Sequence, residues 1–302
     1  MPRTPHASEG IYTDTVGSLQ YKLYLSTVLR RRPPLFVMLH GAGQDACDFA
    51  AGTRMHEVVE ECGGVALFPE QSRNAHPMGC WNWYDTRHQF AEAGEPAMLA
   101  GLTRHIIANH DVDPTQVYVA GMSAGGAMAV ILGQAYPNLY AAVGVHSGIP
   151  AGIAHDLTSA LRAMNSGPPV SHSETGDRGS LRPPIPTIVF HGDRDRTVHP
   201  LNAAAVVEQA LSKKSEALGG GLVLPAVETF KPGGRDVTIS KHARQFGQPH
   251  AELWIVHGVG HAWTGGSSKG SYTDEAGPDA SREMRRFFLD QSLARCSERH
   301  VA

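Results

Sequence analysis

Short apolar runs alternate along the chain with longer segments in which apolar residues return every three or four positions. The short runs are rich in β-branched and aromatic residues and predict buried strands at 35–39, 65–68, 117–120, 141–146, 187–191 and 252–256. The spacing between them predicts helices over 49–61 and 96–110. This alternation predicts an α/β fold, a mainly parallel sheet with helices on both faces and ligands beyond the carboxyl ends of the strands.

Two further features modify this simple alternation. Residues 11–15 and 19–25 alternate apolar and polar positions around Gly17 and Ser18, which predicts an N-terminal antiparallel hairpin at the sheet edge. Stretches 151–186 and 212–249 are rich in turn-forming residues and predict surface excursions. Within the second, 222–230 and 236–240 predict a hairpin around a Pro-Gly-Gly turn. We expect one domain over residues 1–302.

Composition narrows the class of protein. With 41% hydrophobic and 18% charged residues, the chain can bury a sizeable core, which excludes disorder. The net charge of −3 gives no electrostatic reason to expect nucleic acid or an anionic membrane as a partner, so we expect a small or neutral substrate. The first ten residues lack a basic stretch followed by an apolar core, and no run approaches the ~20 apolar residues of a membrane span. We therefore expect a cytoplasmic protein without membrane insertion.

Four cysteines are too few and too scattered for a disulfide framework. They are Cys47, Cys62, Cys80 and Cys296, and they lack the paired short spacings of a zinc site. Free thiols are the default expectation, with one or two bridges left open if the protein is exported.

The strongest chemical signal is the segment from Gly121 to Gly125, which reads G-x-S-x-G with Ser123 at its centre. It follows the predicted strand 117–120 directly and precedes a helix of small residues predicted over 124–135. A nucleophile elbow needs this context, because the serine lies on a tight turn where strand and helix approach closely. The pattern predicts that Ser123 is the nucleophile of an α/β-hydrolase fold.

A serine nucleophile needs a histidine base and an acid that fixes the histidine tautomer. In this fold the partners follow in the order serine, acid, histidine, each after a later strand. Asp195, deep in the loop after strand 187–191, is the predicted acid, and Asp193 is the alternative. His261, in the glycine-flanked loop after strand 252–256, is the predicted base, and His257 is its competitor.

The other histidines are predicted to be loop or strand-end residues with satisfied hydrogen bonds. They include His40, His146, His191 and His199, and no pair has convincing metal-ligand spacing. The chemistry therefore calls for neither a metal nor an organic cofactor.

The oxyanion of a tetrahedral intermediate needs two backbone donors. Ala124 follows the nucleophile at a helix N-terminus and supplies one. Ala42, in the loop after strand 35–39, is predicted to supply the other, with Gly41 as the alternative.

Aromatic residues next to these motifs have two readings. Trp81, Trp83 and Trp263 either line a substrate pocket or pack over the sheet edge.

The motifs together resemble the poly(3-hydroxybutyrate) depolymerase family of esterases, which includes feruloyl and acetylxylan esterases. The resemblance rests on the segments at 38–44, 80–84, 121–128, 191–195, 260–263 and 277–281, which span nearly the whole chain in the expected order. Many relatives carry a cysteine where this chain has Ala42, so a disulfide at that position does not carry over.

The resemblance implies a serine esterase and transfers the triad to Ser123, Asp195 and His261. Its expected substrates are 3-hydroxybutyrate oligomers or polyester, or short-chain and aryl esters. Two alternatives stay open, a feruloyl or acetylxylan type of esterase and a catalytically silent α/β-hydrolase that serves as a binding module.

Overall fold

A computed structural model describes residues 6–168, 185–211, 226–243 and 249–293. Its strands are β1 His6–Thr13, β2 Ser18–Leu25, β3 Leu35–Leu39, β4 Val65–Glu70, β5 Val117–Met122, β6 Ala142–His146, β7 Thr187–Gly192, β8 Ala226–Phe230, β9 Val237–Ala243, β10 Pro249–Val256, β11 Trp263–Thr264 and β12 Thr273–Asp274. Its α-helices are α1 Ala46–Thr53, α2 Met55–Cys62, α3 Gly94–Asn109, α4 Ala124–Ala135, α5 Leu157–Ser166, α6 Leu201–Ala210 and α7 Ala280–Leu289.

Ten of the described strands form one sheet in the order β1-β2-β4-β3-β5-β6-β7-β10-β9-β8. The strands from β4 to β10 in this order run parallel, whereas the pairs at both ends are antiparallel. All six predicted central strands are present. Because parallel strands end at the same edge, the loops after β3, β5, β7 and β10 meet there.

Two apolar layers cover the sheet, one on each face. On β3, Leu35 and Leu39 belong to the layer formed with α3, α4, α5 and α6, whereas Phe36 and Met38 belong to the layer formed with α1, α2 and α7. Successive side chains of a strand point to opposite faces, so a wholly apolar strand serves both layers. This is why the central strands lack polar alternation.

The predicted N-terminal hairpin is confirmed, with its turn at residues 14–17, so that Gly17 is the last residue of the turn and Ser18 begins β2. The Asp14 carboxylate accepts hydrogen bonds from the amides of Val16 and Gly17, at 2.7 and 3.1 Å, and closes the turn there.

The two predicted excursions have different outcomes. In the first, α5 is a capped helix, and residues 169–184 lie outside the described residues. In the second, β8 and β9 form the predicted hairpin, and β9 pairs with β10, so the hairpin extends one edge of the main sheet. Residues 212–225 and 244–248 lie outside the described part of the chain.

The helix predicted over 49–61 is two helices. Arg54 separates α1 from α2 with a left-handed backbone (φ 55°). Just before it, Gly52 lies directly under Gly270, where a Cβ on Gly270 would come within 2.4 Å of the Gly52 nitrogen. A distant loop therefore crosses α1 at its end, a contact that local apolar spacing does not reveal.

Candidate active site

Ser123 occupies a strained turn between β5 and α4. Its backbone angles are φ 55° and ψ −120°, a conformation that a residue with a side chain rarely adopts. The turn needs the flanking glycines, because a Cβ on Gly125 would lie 2.0 Å from the carbonyl oxygen of Leu39. The serine side chain stands partly exposed at the carboxyl edge of the sheet, as a nucleophile elbow requires.

Asp195 is buried in the loop after β7 and is surrounded by hydrogen-bond donors. One carboxylate oxygen accepts from the amides of Thr197 and Val198, both at 2.9 Å. The other lies 2.7 Å from His261 Nδ1 and 3.4 Å from His191 Nε2. Burial raises the pKa of the Asp195 carboxyl, but the hydrogen bonds from the two histidines outweigh it and hold that pKa well below its usual range. The carboxylate is therefore ionised, as the acid of a triad must be.

The contact with Asp195 orients the ring of His261. Since Nδ1 donates to the carboxylate, the neutral ring carries its lone pair on Nε2, the atom that would accept a proton from a serine. The His261 and Ser123 side chains are not hydrogen-bonded to each other. Their loops nevertheless leave the same sheet edge, and catalytic hydrogen bonds of this kind are often long before substrate binds.

The two competing candidates, Asp193 and His257, pair with each other. The Asp193 carboxylate lies 2.9 Å from His257 Nδ1 and accepts from the Gly258 amide at 2.7 Å. The other ring nitrogen of His257 is 2.9 Å from the Thr238 hydroxyl. Both nitrogens of His257 thus have partners, which leaves His261 as the histidine suited to act as base.

Most of the remaining histidines have the predicted partners. His40 Nε2 accepts from the Gln71 amide at 3.0 Å, and His146 Nε2 accepts from the Thr264 amide at 3.2 Å. Burial lowers the pKa of His40 and lowers that of His146 well below its usual value, so both rings are neutral. His199 Nδ1 accepts from the amide of the residue two positions on, at 3.3 Å.

The prediction was wrong for one nitrogen of His191. Its Nε2 lies 2.8 Å from the carbonyl oxygen of Val198, but its buried Nδ1 has no hydrogen-bond partner among the described residues.

The loop after β3 presents backbone donors toward the elbow. The amide of Gly41 donates to the side-chain oxygen of Gln44 at 2.9 Å, so it is not available as the alternative oxyanion donor. The amides of Ala42 and Ala124 have no hydrogen-bond partner within the ranges that the structure describes. These two remain the candidate donors.

The three tryptophans pack inside the protein, which favours the packing interpretation of them over the substrate-pocket interpretation. Trp81 and Trp263 are completely buried. Their indole nitrogens donate to the His40 carbonyl oxygen at 3.1 Å and to the Ser281 hydroxyl at 3.2 Å. Trp83 is 5% exposed. The indole of Trp81 is thereby bonded to the end of β3, and that of Trp263 to the first turn of α7.

Sequence reasoning missed Tyr272. Its ring centroid lies 6.3 Å from that of His261 in an edge-to-face arrangement, and the residue is 52% exposed. A signal was available, because this is the last residue of the Gly- and Ser-rich segment that follows the predicted base.

Three further features concern metal binding, the cysteines and membrane insertion. Among the described residues, no group of three or more His, Cys, Asp or Glu side chains is arranged to hold a metal ion. Cys47, Cys62 and Cys80 are free, and Cys296 lies outside the described residues. None of the described helices has the length and apolar character to cross a membrane.

Comparison with known families adds an independent line of evidence. A family model described as Esterase PHB depolymerase matches residues 19–220. The chain belongs to this family. The resemblance inferred from the motifs is thereby confirmed.

The chain is similar to curated depolymerases and to a curated feruloyl esterase. The chain is 28% identical over 251 residues to poly(3-hydroxyalkanoate) depolymerase C of Paucimonas lemoignei, an alignment that covers 81% of this chain and 58% of the relative. It is 27% identical over 238 residues to feruloyl esterase B of Thermothelomyces thermophilus, covering 74% and 78% respectively. The match to the poly(3-hydroxybutyrate) depolymerase of Ralstonia pickettii covers 48% of that protein, so this chain spans about half the length of the depolymerases it matches.

The solved structures agree on the fold. The acetyl xylan esterase from Aspergillus awamori superposes with a TM-score of 0.70 at 18% identity, covering 94% of this chain and 99% of the other. The fold is that of the α/β-hydrolases, as the sequence predicts.

Proposed function

We propose that this protein is a serine esterase that hydrolyses carboxylic esters through an acyl-enzyme. One observation carries the proposal: a buried, ionised Asp195 fixes the tautomer of His261 at the sheet edge where the strained elbow presents Ser123. The names of the relatives support ester cleavage as the reaction class.

The mechanism follows from the roles of the three side chains. His261 Nε2 takes the proton of the Ser123 hydroxyl while the oxygen attacks the ester carbonyl carbon. The amides of Ala42 and Ala124 stabilise the oxyanion that forms. His261 then returns the proton to the departing alcohol, and a water molecule, activated by the same ring, releases the acid from Ser123.

Within this reaction class, we propose 3-hydroxybutyrate oligomers or polyester and short-chain or aryl esters as substrates. Feruloyl and acetylxylan esters are the second candidate group, because the relatives include a feruloyl esterase.

The first test compares wild type with Ser123→Ala. Turnover of p-nitrophenyl acyl esters, methyl ferulate and 3-hydroxybutyrate oligomers should fall by about 10⁴-fold or more in the variant, and a fluorophosphonate probe should label only wild type. Circular dichroism controls for folding. A wild-type protein that is neither labelled nor active on any ester would instead support a silent binding module.

A further inference from the structure

The segment that ends at Tyr272 is held in place at several points. The Ser271 amide and hydroxyl donate to the Asp48 carboxylate at 2.8 and 2.6 Å. The side-chain nitrogen of Gln44 donates to the same carboxylate at 2.8 Å and to the Ser271 carbonyl oxygen at 3.2 Å. The Tyr272 carbonyl oxygen accepts from the Trp263 amide at 2.7 Å. These bonds define the segment as an ordered part of the site.

Tyr272 itself has a backbone conformation that favours glycine. Its φ is 52°, in the left-handed region that a bulky side chain enters only at a cost. That cost is offset by the bonds to the neighbouring residues, and the result is an aromatic ring that is half exposed. A strained backbone that holds an exposed ring next to the candidate base is an observation that motivates a functional hypothesis for this residue.

The position of the ring relates it to the reacting groups. Gln44, which bonds to Ser271, also accepts from Gly41 in the oxyanion loop, and the Tyr272 ring stands edge-to-face against His261. The Tyr272 ring thus lies beside the base, on a segment that is also hydrogen-bonded to the oxyanion loop through Gln44. During acylation the base must reach the alcohol oxygen of the ester, so the alcohol portion leaves past the groups that flank His261.

Building on the proposed esterase function, we propose that Tyr272 is a specificity-determining residue that contacts the alcohol portion of the ester. Its exposed ring offers a flat apolar face, which favours esters of phenols and other bulky apolar alcohols over esters of small alcohols. The buried tryptophans leave this role to Tyr272.

The test compares substrates that share an acyl group and differ in the alcohol, phenyl acetate against ethyl acetate. The ratio of variant to wild-type kcat/KM for each substrate cancels the intrinsic reactivity of the ester. Tyr272→Gly suits the left-handed backbone and removes the ring. It should lower kcat/KM about tenfold for phenyl acetate, equivalent to roughly 1.4 kcal/mol, mainly through KM, and change it less than about twofold for ethyl acetate.

Two further variants sharpen the result. Tyr272→Phe keeps the ring and should restore the preference. Asp111→Gly relieves another left-handed residue (φ 49°), in the turn before β5 and so at the opposite edge of the sheet, and should leave both ratios unchanged.

Equal loss on both acetates would overturn the proposal, because the ring would then act only by placing His261. No change on either substrate would overturn it as well, and so would a loss that depends on the acyl chain in a p-nitrophenyl ester series. If wild type is neither labelled nor active, both the proposed esterase function and this inference fail. If wild type is active and Tyr272→Gly has the same kcat/KM as wild type on both acetates, only this inference fails.

Discussion

Two aspartates stand two positions apart in the loop after β7, and their surroundings separate their roles. Asp195 is 5% exposed and is held by two backbone amides and by His261. Asp193 and its partner His257 have side chains that are 37% and 41% exposed. An exposed pair contributes little free energy, whereas a buried carboxylate fixes the histidine that it contacts.

The matched pair Asp195→Asn and Asp193→Asn tests this difference. Asp195→Asn should lower kcat by about 10³–10⁴-fold, because the amide favours the wrong histidine tautomer. Asp193→Asn retains an acceptor for the Gly258 amide, and its kcat should stay within about threefold of wild type. The measurement is steady-state hydrolysis of p-nitrophenyl acetate near neutral pH. The reverse pattern would make Asp193 the catalytic acid.

At the scale of elements, the contact between β3 and α4 decides whether the elbow can form. Gly125 lies in the first turn of α4, where its backbone approaches the end of β3 so closely that no side chain fits. The positions of Ala124–Ala135 agree with the helix predicted from the sequence. The small residues on this face of α4 therefore allow the helix to pack closely against β3.

Gly125→Ala should accordingly destabilise the protein. The added methyl group would collide with the Leu39 carbonyl, and overpacking of this kind costs about 1–3 kcal/mol or more of unfolding free energy. Gly17→Ala is the control, since its Cβ would lie 3.6 Å from Met98 Sδ in ordinary contact. Urea unfolding of both variants gives the comparison. Equal urea midpoints for the two variants would contradict the close approach of α4 to β3.

At the scale of the whole molecule, buried neutral histidines couple stability to pH. Burial lowers the pKa of His40 and His146, so below about pH 6.5 the unfolded chain takes up protons that the folded protein refuses. The contribution of these histidines to the unfolding free energy is therefore fully present above that pH. It falls as the solution is acidified, by up to about 1.4 kcal/mol per pH unit for each histidine. The depressed pKa of Asp195 adds a further loss below about pH 4.

Urea unfolding between about pH 7.5 and 5.5 checks the sign. His40→Gln keeps an acceptor for the Gln71 amide and should reduce the dependence, because His146 remains, whereas exposed His155→Gln should leave it as in wild type. Stability that rises on acidification over this range would contradict the assignment of neutral buried rings.

Much of the fold and the nucleophile could be predicted because local spacing determines them. The buried strands are continuous apolar runs, and the G-x-S-x-G segment combines strand, turn and helix signals within a few residues. The break at Arg54 between α1 and α2 was not predicted in this way, because the apolar spacing continues across it, and the loop that packs against the end of α1 comes from more than two hundred residues away.

Which aspartate pairs with which histidine depends on tertiary structure and not on sequence spacing. Asp193 and His257 are 64 positions apart, and Asp195 and His261 are 66 apart, so spacing cannot choose between the pairs. The register of β7 against β10 places Gly192 beside Val256, which brings the next residues, Asp193 and His257, together at the strand ends.

By itself, the sequence determined the fold class, the family motifs and the order of serine, acid and histidine, because these depend on short segments and chain order. Tertiary structure decided which acid meets which histidine, that Gln44 occupies the Gly41 amide, and that Tyr272 rather than a tryptophan faces solvent beside the base. The reason is physical: burial and hydrogen-bond partners depend on distances between loops that only strand register and packing bring together.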